Sequence, residues 1–184
     1  VVLERSGFIS YANCGLPYYI GGVIQDQEEL TLQTPQGFWD RFRIDVRVRH
    51  EATAIHREEK TVTVKNLETG EVTTESYDKL ILAPGARPTR PPIPGLDSDR
   101  LFSLRTVEDT LAIRAFVERE KPRTAVLAGG GFISLELAEN LAEMGVQVTI
   151  VQRIPQVMHN LDYDMATFLH AHLRQKGMTL RLGA

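Results

Sequence analysis

A single cysteine, Cys14, stands in 184 residues, so no disulfide can form inside the chain and a cystine-stapled secreted framework is excluded. A reducing, cytoplasmic setting is the expectation. There is no run of about eighteen apolar residues to cross a bilayer, and the opening Val1-Val2-Leu3-Glu4-Arg5 has neither the charged leader nor the small-residue cleavage site of a secretory signal. No membrane partner is expected. The 21 Lys and Arg form no tract; they are spread from Arg5 to Arg181 against 24 Asp and Glu, for a net charge of -3. Nucleic acid is therefore an unpromising partner. Low-complexity segments are absent, no metal is expected, and there is no initiator methionine. With the apolar start, that last absence suggests a piece from inside a larger protein.

What is present reads as an α/β chain with two Rossmann-like units, the first incomplete, and a small antiparallel β-meander. Apolar Val1 to Leu3 looks like the end of a buried strand, with a turn at Ser6-Gly7 and a helix beginning near Cys14. Thr34-Pro35 starts a second helix, Thr34 as N-cap and Pro35 at the first helical position; it ends near Arg43, with Phe38, Trp39 and Phe42 as its buried stripe. Alternating apolar residues at Ile44, Val46 and Val48, then Ala52 to Ile55, Val62, Val64 and Val72, with a turn at Glu68-Thr69-Gly70, predict the meander. Leu80 to Ala83 reads as a short buried strand running into Pro84-Gly85, and Pro88 to Pro94 as a stiff connector. Thr106 with Asp109 forms an acidic capping box for a helix whose buried face is expected at Leu111, Ala115 and Phe116, and which Lys121-Pro122 stops. Then comes a βαβαβ alternation: strand 125–128, helix 132–144, strand 146–151, helix 163–176, strand 178–182.

The first strand of that alternation meets Gly129-Gly130-Gly131-Phe132-Ile133-Ser134 at the opening of a helix, the setting a dinucleotide fingerprint requires. Gly129 permits a tight turn, Gly131 allows backbone to approach a pyrophosphate, and the helix N-terminus offers unpaired N–H groups. Ser134 stands where a third glycine is usual and is small enough for close packing. A glycine turn without a ligand is the alternative. At the tip of the second strand, Gln152-Arg153 replaces the carboxylate that would bond the ribose of NAD. Gln152 removes repulsion of a 2′-phosphate and Arg153 could pair with it, favouring NADPH over NADH. The alternative is that Arg153 points into water. Val1 to Arg5 parallels Thr149 to Arg153 but ends in Glu4, a carboxylate suited to the unphosphorylated adenosine ribose of FAD.

The segment Ser10 to Gly22, SYANCGLPYYIGG, resembles the active-site signature of the coenzyme A-disulfide reductases, including their rhodanese-fused and persulfide-reducing relatives. The resemblance continues through Gln33-Thr34-Pro35, Ile44 to Val48, Leu80 to Gly85, Pro91 to Gly95 and the Gly129 turn. It implies a partial FAD-binding domain over residues 1–120 and the first half of an inserted NAD(P)H-binding domain over 121–184, within a homodimer in the whole protein. By the same resemblance, FAD would be met by Glu4, Arg5, Ala52, Ala83, Pro84, Gly85 and Arg105, and NAD(P)H by Gly129 to Ser134, Glu136, Gln152 and Arg153. The substrate would be met by Ser10, Asn13, Arg41 and Arg43. Ser10 and Asn13 could instead only turn the backbone, and Arg41 and Arg43 could be a solvated helix end. Pro84 departs from the threonine usual at its position and lacks an N–H.

Cys14 near a helix N-terminus, with Pro17 early in that helix, is placed to have its thiolate stabilised by the helix dipole. No second cysteine lies nearby, so its redox partner is expected to be an external thiol, in a mixed disulfide, or oxygen, in a sulfenic acid. The resemblance implies electron flow from NAD(P)H through FAD to a Cys14 mixed disulfide of coenzyme A, or to a persulfide. Three other readings stand beside it: a small buried hydrophobe at Cys14, an NADH oxidase or peroxidase cycling Cys14 through sulfenic acid, and a non-catalytic nucleotide-binding fragment.

Overall fold

The computed structural model describes residues 1–184. In order it contains β1 (Val2–Glu4), β2 (Ser10–Tyr11), a 3-10 turn (Asn13–Gly15) running into α1 (Leu16–Ile20), a second 3-10 turn (Gln27–Leu30), β3 (Thr31–Gln33), α2 (Pro35–Phe42) and β4 (Val46–Val48). There follow β5 (His50–His56), β6 (Thr61–Asn66), β7 (Val72–Ser76), α3 (Val107–Glu120), β8 (Thr124–Ala128), α4 (Phe132–Glu143), β9 (Gln147–Gln152), α5 (Tyr163–Gln175) and β10 (Thr179–Leu182). The chain folds as two compact units, Val1–Ala12 with Thr31–Thr89, and Asn13–Leu30 with Arg90–Ala184.

In the first unit the meander forms as expected from β5, β6 and β7, all antiparallel, around buried Val62 and Val64. Its hairpin turn is built by Asn66, whose side-chain oxygen accepts the N–H groups of Glu68 and Thr69 at 2.9 and 3.1 Å, and by Gly70 at φ +77. The Ile44 to Val48 stretch departs from expectation. There β4 leaves the meander and pairs in parallel with β1, Val2 opposite Val46 and Glu4 opposite Val48, because Arg49 at φ +58 breaks the strand before β5 begins.

Thr34 caps α2 as predicted, its hydroxyl accepting Gly37 N–H at 3.1 Å, and Arg43 closes the helix in the left-handed region at φ +57. The buried stripe does not form: Phe38 is half-buried, while Trp39 and Phe42 are 46% and 50% exposed. Nothing in the first unit covers that face. Leu80 to Ala83 is irregular and exposed rather than a buried strand, with Ile81 89% exposed. No neighbouring strand offers it a ladder, and an unpaired apolar run gains nothing from extended geometry alone. For the same reason Val1 and Val2 stay exposed: their sheet has only two strands.

The second unit holds the βαβαβ alternation, with β10-β9-β8 as a fully parallel three-stranded sheet. Its core gathers Ile113 and Val117 from α3, Leu137, Ala138 and Leu141 from α4, Val148 and Ile150 from β9, and Ile20 from α1. The predicted capping box of α3 is complete: Thr106 Oγ1 accepts Asp109 N–H at 3.2 Å, and Asp109 Oδ2 accepts Thr106 N–H at 2.9 Å. The buried face of α3 is rotated from the predicted one. Val107, Thr110, Ile113 and Val117 are buried, Leu111 and Phe116 only half so, and Ala115 is exposed. Ile113 and Val117 join the core shared with α1, α4 and β9, and Phe116 instead meets Phe102 with ring centroids 5.0 Å apart.

Candidate functional site

The parallel register sets Ala128 opposite Val151, so the glycine turn and the Gln152-Arg153 tip leave the sheet side by side at its C-terminal edge. Gly129 donates its N–H to Val151 O at 2.8 Å and takes φ +107, which a side chain would resist. Gly131 is the N-cap of α4, with no side-chain cap, and a Cβ added there would meet nothing within 4 Å. A twelve-residue helix therefore presents uncapped N–H groups toward open space, which fits a diphosphate. Phe132 and Ile133 are exposed beside this opening, and Ser134 is half-buried in the first turn of α4. Glu136 lines a groove of about 430 Å³ between α4 and α5, together with Glu139, His172 and Lys176.

At the neighbouring tip, Gln152 Oε1 accepts the Arg153 N–H at 3.0 Å. The Arg153 side chain is exposed and makes no hydrogen bond or ion pair, leaving its guanidinium available to a phosphate. Gly130 had no assigned role beyond membership of the turn. It is buried, and a Cβ there would come within 3.0 to 3.2 Å of Val157, including its Cα. The loop after β9 thus folds back over the turn, and buried His170 holds that loop from behind by accepting Val157 N–H on Nε2 at 3.1 Å. Burial first, then the charge of Arg174, lowers the His170 pKa from the ordinary imidazole value. His170 follows the buried Ala166 and precedes the buried Leu173 along one face of α5. A histidine on an apolar stripe was the visible signal.

Cys14 lies in the 3-10 turn that leads into α1 and is exposed, which removes the reading of a small buried hydrophobe. Pro17 falls in the first turn of α1 as predicted, but α1 is only five residues long. Its macrodipole is correspondingly small. Asn13 turns the backbone and also engages Arg105: the guanidinium Nη1 donates to Asn13 Oδ1 at 3.1 Å, so Arg105 is tied to the residue before the cysteine. At the other end of α1, Arg114 was missed by sequence reasoning. Its guanidinium lies 4.1 Å from the centroid of the Tyr19 ring and donates to Tyr19 O and Ile24 O at 3.2 and 3.4 Å, placing a cation at the helix C-terminus. About ninety positions separate these partners in sequence, beyond the reach of local spacing rules.

The remaining candidates belong to the first unit. Ser10 is in β2, opposite Gln33 of β3. Glu4 ends β1, and its Oε1 accepts Ser6 N–H at 2.6 Å, which holds the carboxylate at a strand tip. Arg5 pairs with Glu51 at 3.6 Å across exposed surface. Arg41 and Arg43 are exposed at the end of α2, their guanidinium groups 5.0 Å from the Phe42 and 5.7 Å from the Trp39 ring centroids. Ala52 is exposed in β5 opposite Val64, and Ala83, Pro84 and Gly85 lie in exposed coil, Gly85 at φ +70.

An uncapped glycine turn at the edge of a parallel sheet and an exposed single cysteine are the features expected of a nucleotide-dependent redox class. The whole chain, residues 1–184, matches the pyridine nucleotide-disulphide oxidoreductase family, and the protein belongs to it. It is 39% identical over 181 residues to the coenzyme A disulfide reductase of Staphylococcus haemolyticus, covering 98% of this chain and 40% of that protein. Among solved structures, reduced CoADR-RHD of Bacillus anthracis is similar at TM-score 0.96 and 48% identity, over 98% of this chain and 33% of that one. A NAD-dependent persulfide reductase from A. fulgidus is similar at TM-score 0.90 and 33% identity, over 99% and 34%. The chain thus spans about two-fifths of the length of the curated relatives it matches.

Proposed function

We propose that this chain is part of a flavin-dependent NAD(P)H reductase of coenzyme A disulfide or of a persulfide, with Cys14 as the residue that forms the mixed disulfide. The observation that carries the reading is the exposed Cys14 on the turn into α1, within a segment that resembles the active-site signature of coenzyme A disulfide reductases. In this reading residues 1–120 contribute to an FAD site and residues 121–184 to the NAD(P)H site. Glu4, at the tip of β1, fits the adenosine ribose of FAD. Arg5, Ala52, Ala83, Pro84, Gly85 and Arg105 are proposed to meet the same cofactor.

The glycine turn Gly129 to Ser134 would hold the diphosphate side of the nicotinamide cofactor, Glu136 is proposed to meet the same cofactor, and Arg153 would pair with a 2′-phosphate, favouring NADPH. Bound FAD and NAD(P)H would supply two electrons. Cys14 thiolate attacks one sulfur of a substrate disulfide, forming Cys14–S–S–R and releasing a thiolate; two electrons and one proton then cleave that bond, releasing the second thiol and restoring the Cys14 thiolate. Ser10, Asn13, Arg41 and Arg43 are proposed substrate contacts. A homodimer in a cytoplasmic setting belongs to the same reading.

The test is Cys14→Ser in the full-length enzyme. Loss of coenzyme A disulfide and persulfide turnover, with the flavin still bound, is expected. A fully active variant refutes the proposal, and peroxide-dependent NAD(P)H consumption by the wild type that exceeds disulfide reduction would replace it with a sulfenic acid cycle.

A further inference from the structure

Between β9 and α5 the segment Arg153 to Leu161 forms a strap over the glycine turn. Met158 takes φ +50 and donates its N–H to Gly130 O at 2.7 Å, while Val157, fully buried, stands so close to Gly130 that a Cβ there would lie only 3.0 to 3.2 Å from it. Within the strap, Gln156 Nε2 donates to Leu161 O at 2.9 Å and more weakly to Met158 O at 3.3 Å. The strap's fixed point on the core side is His170. This side chain is 4% exposed, and its Nε2 accepts the buried Val157 N–H. An imidazole can accept on Nε2 only when that nitrogen carries no proton, so the contact requires the neutral ring.

We propose that His170 is a positioning residue for nicotinamide dinucleotide binding: by accepting Val157 N–H it seats the strap on Gly130 and so holds both the Gly129–Gly131 turn and Arg153 where the cofactor's phosphates meet them. The inference rests on the reading that this turn holds NAD(P)H. It assigns His170 no part in electron transfer. The two ends of the strap explain the reach: Arg153 begins it, directly after the β9 tip, and its middle is locked to the turn. Without an acceptor, the buried Val157 N–H is unpaired and the strap's seat on Gly130 is weakened.

Arg174, one turn along α5, is the charged group that acts on the ring, and the Tyr163 ring stands edge-on at 6.3 Å. Val157 and Met158 of the strap bring no charge. Burial and Arg174 both disfavour the protonated ring. The contact is therefore intact above the ordinary histidine range and fails as pH falls through the lowered value.

The test uses the full-length enzyme with His170→Phe, which removes the acceptor, His170→Gln, whose amide oxygen can replace it, and Gly131→Glu, which sets a carboxylate in the open space at the α4 N-terminus without backbone strain, since Gly131 has φ −89. His170→Phe is expected to raise KM for NADPH about tenfold with kcat changed less than about twofold. His170→Gln restores the wild-type KM. Wild-type KM for NADH, which has no titrating 2′-phosphate, rises at acid pH, whereas that of His170→Gln stays flat. An unchanged KM in His170→Phe overturns the inference while a Gly131→Glu enzyme that no longer binds dinucleotide upholds the site. If His170→Phe does not fold, matching pH profiles of wild type and His170→Gln overturn it equally. If Gly131→Glu binds NADPH normally, the reading of the turn and this inference fall together.

Discussion

Replacing Gly21 by alanine tests how tightly the cysteine-bearing helix is seated. Gly21 follows α1 with φ −73 and ψ −7, a conformation alanine adopts freely. On backbone grounds alone the change should stabilise by about 0.4–1 kcal/mol through the unfolded state. The new Cβ, however, would lie 2.1 Å from Asn140 Oδ1 and 2.7 Å from both its Cβ and Cγ. Asn140 cannot easily yield: it is 3% exposed in the middle of α4, and its Nδ2 donates to Glu136 O at 2.8 Å. Overpacking of this kind costs roughly 1–3 kcal/mol, and forcing Asn140 off its rotamer adds about 0.5–1.5 kcal/mol. The steric terms together, about 1.5–4.5 kcal/mol, outweigh the backbone gain and leave a net loss of about 0.5–4 kcal/mol.

Hydrogen exchange of the α1 and α4 amides should show that loss of protection, together with altered alkylation of Cys14. Background decides the mechanism. Asn140→Ala would remove Oδ1 and Cγ but keep the Cβ at 2.7 Å, and so would relieve only part of the clash. Asn140→Gly removes all three contacts, at its own cost of about 1 kcal/mol. In that background Gly21→Ala should change sign and stabilise. A Gly21→Ala protein as well protected as wild type, or one equally harmful in both backgrounds, refutes the steric account.

Two further outcomes follow from local geometry. Thr106→Ala breaks the capping box of α3 and should lower its stability by about 1 kcal/mol, measurable as lost amide protection in the first turn, while Thr106→Ser stays near wild type. Arg153→Ala should raise KM for NADPH by roughly fivefold, about 1 kcal/mol for an exposed charge-assisted bond, and leave KM for NADH unchanged; equal effects on both cofactors would refute a role at the 2′-phosphate.

The parts of the fold that were legible in sequence are those whose signal and cause are both local. Thr34-Pro35, Thr106 with Asp109, the Asn66 to Gly70 hairpin turn and the alternation from β8 to β10 each satisfy their own backbone within a few residues. Apolar runs misled where burial depends on a partner that the run itself does not specify. Leu80 to Ala83 has the composition of a core strand and no strand beside it. The aromatic face of α2 has the right period and no neighbour in its unit to bury it. On α3 two apolar stripes compete, and the shared core takes the one with Ile113 and Val117. At the site, glycine spacing was informative because the φ of Gly129 and the open N-cap at Gly131 follow from the residue type. The His170, Arg114 and Asn140 contacts were not, since each joins elements far apart in sequence.

Those long-range contacts bear most on Cys14. A five-residue helix cannot hold its own geometry, so the placement of the cysteine turn falls to its neighbours within the second unit. From α3 and the residue pair before it come Arg114, at the C-terminal carbonyls of α1, and Arg105, on Asn13. From α4 come Asn140 against Gly21 and a shared core of Ile20 with Leu137, Ala138 and Leu141. The helix that presents its N-terminus at the glycine turn is thus also a wall for the helix that follows Cys14. A displacement of α4 that opened or closed the glycine turn would press on Gly21, where an added Cβ would already lie 2.1 Å from Asn140 Oδ1. Close packing of this kind transmits shifts instead of absorbing them, so dinucleotide occupancy and Cys14 reactivity are expected to be coupled through a single packed core.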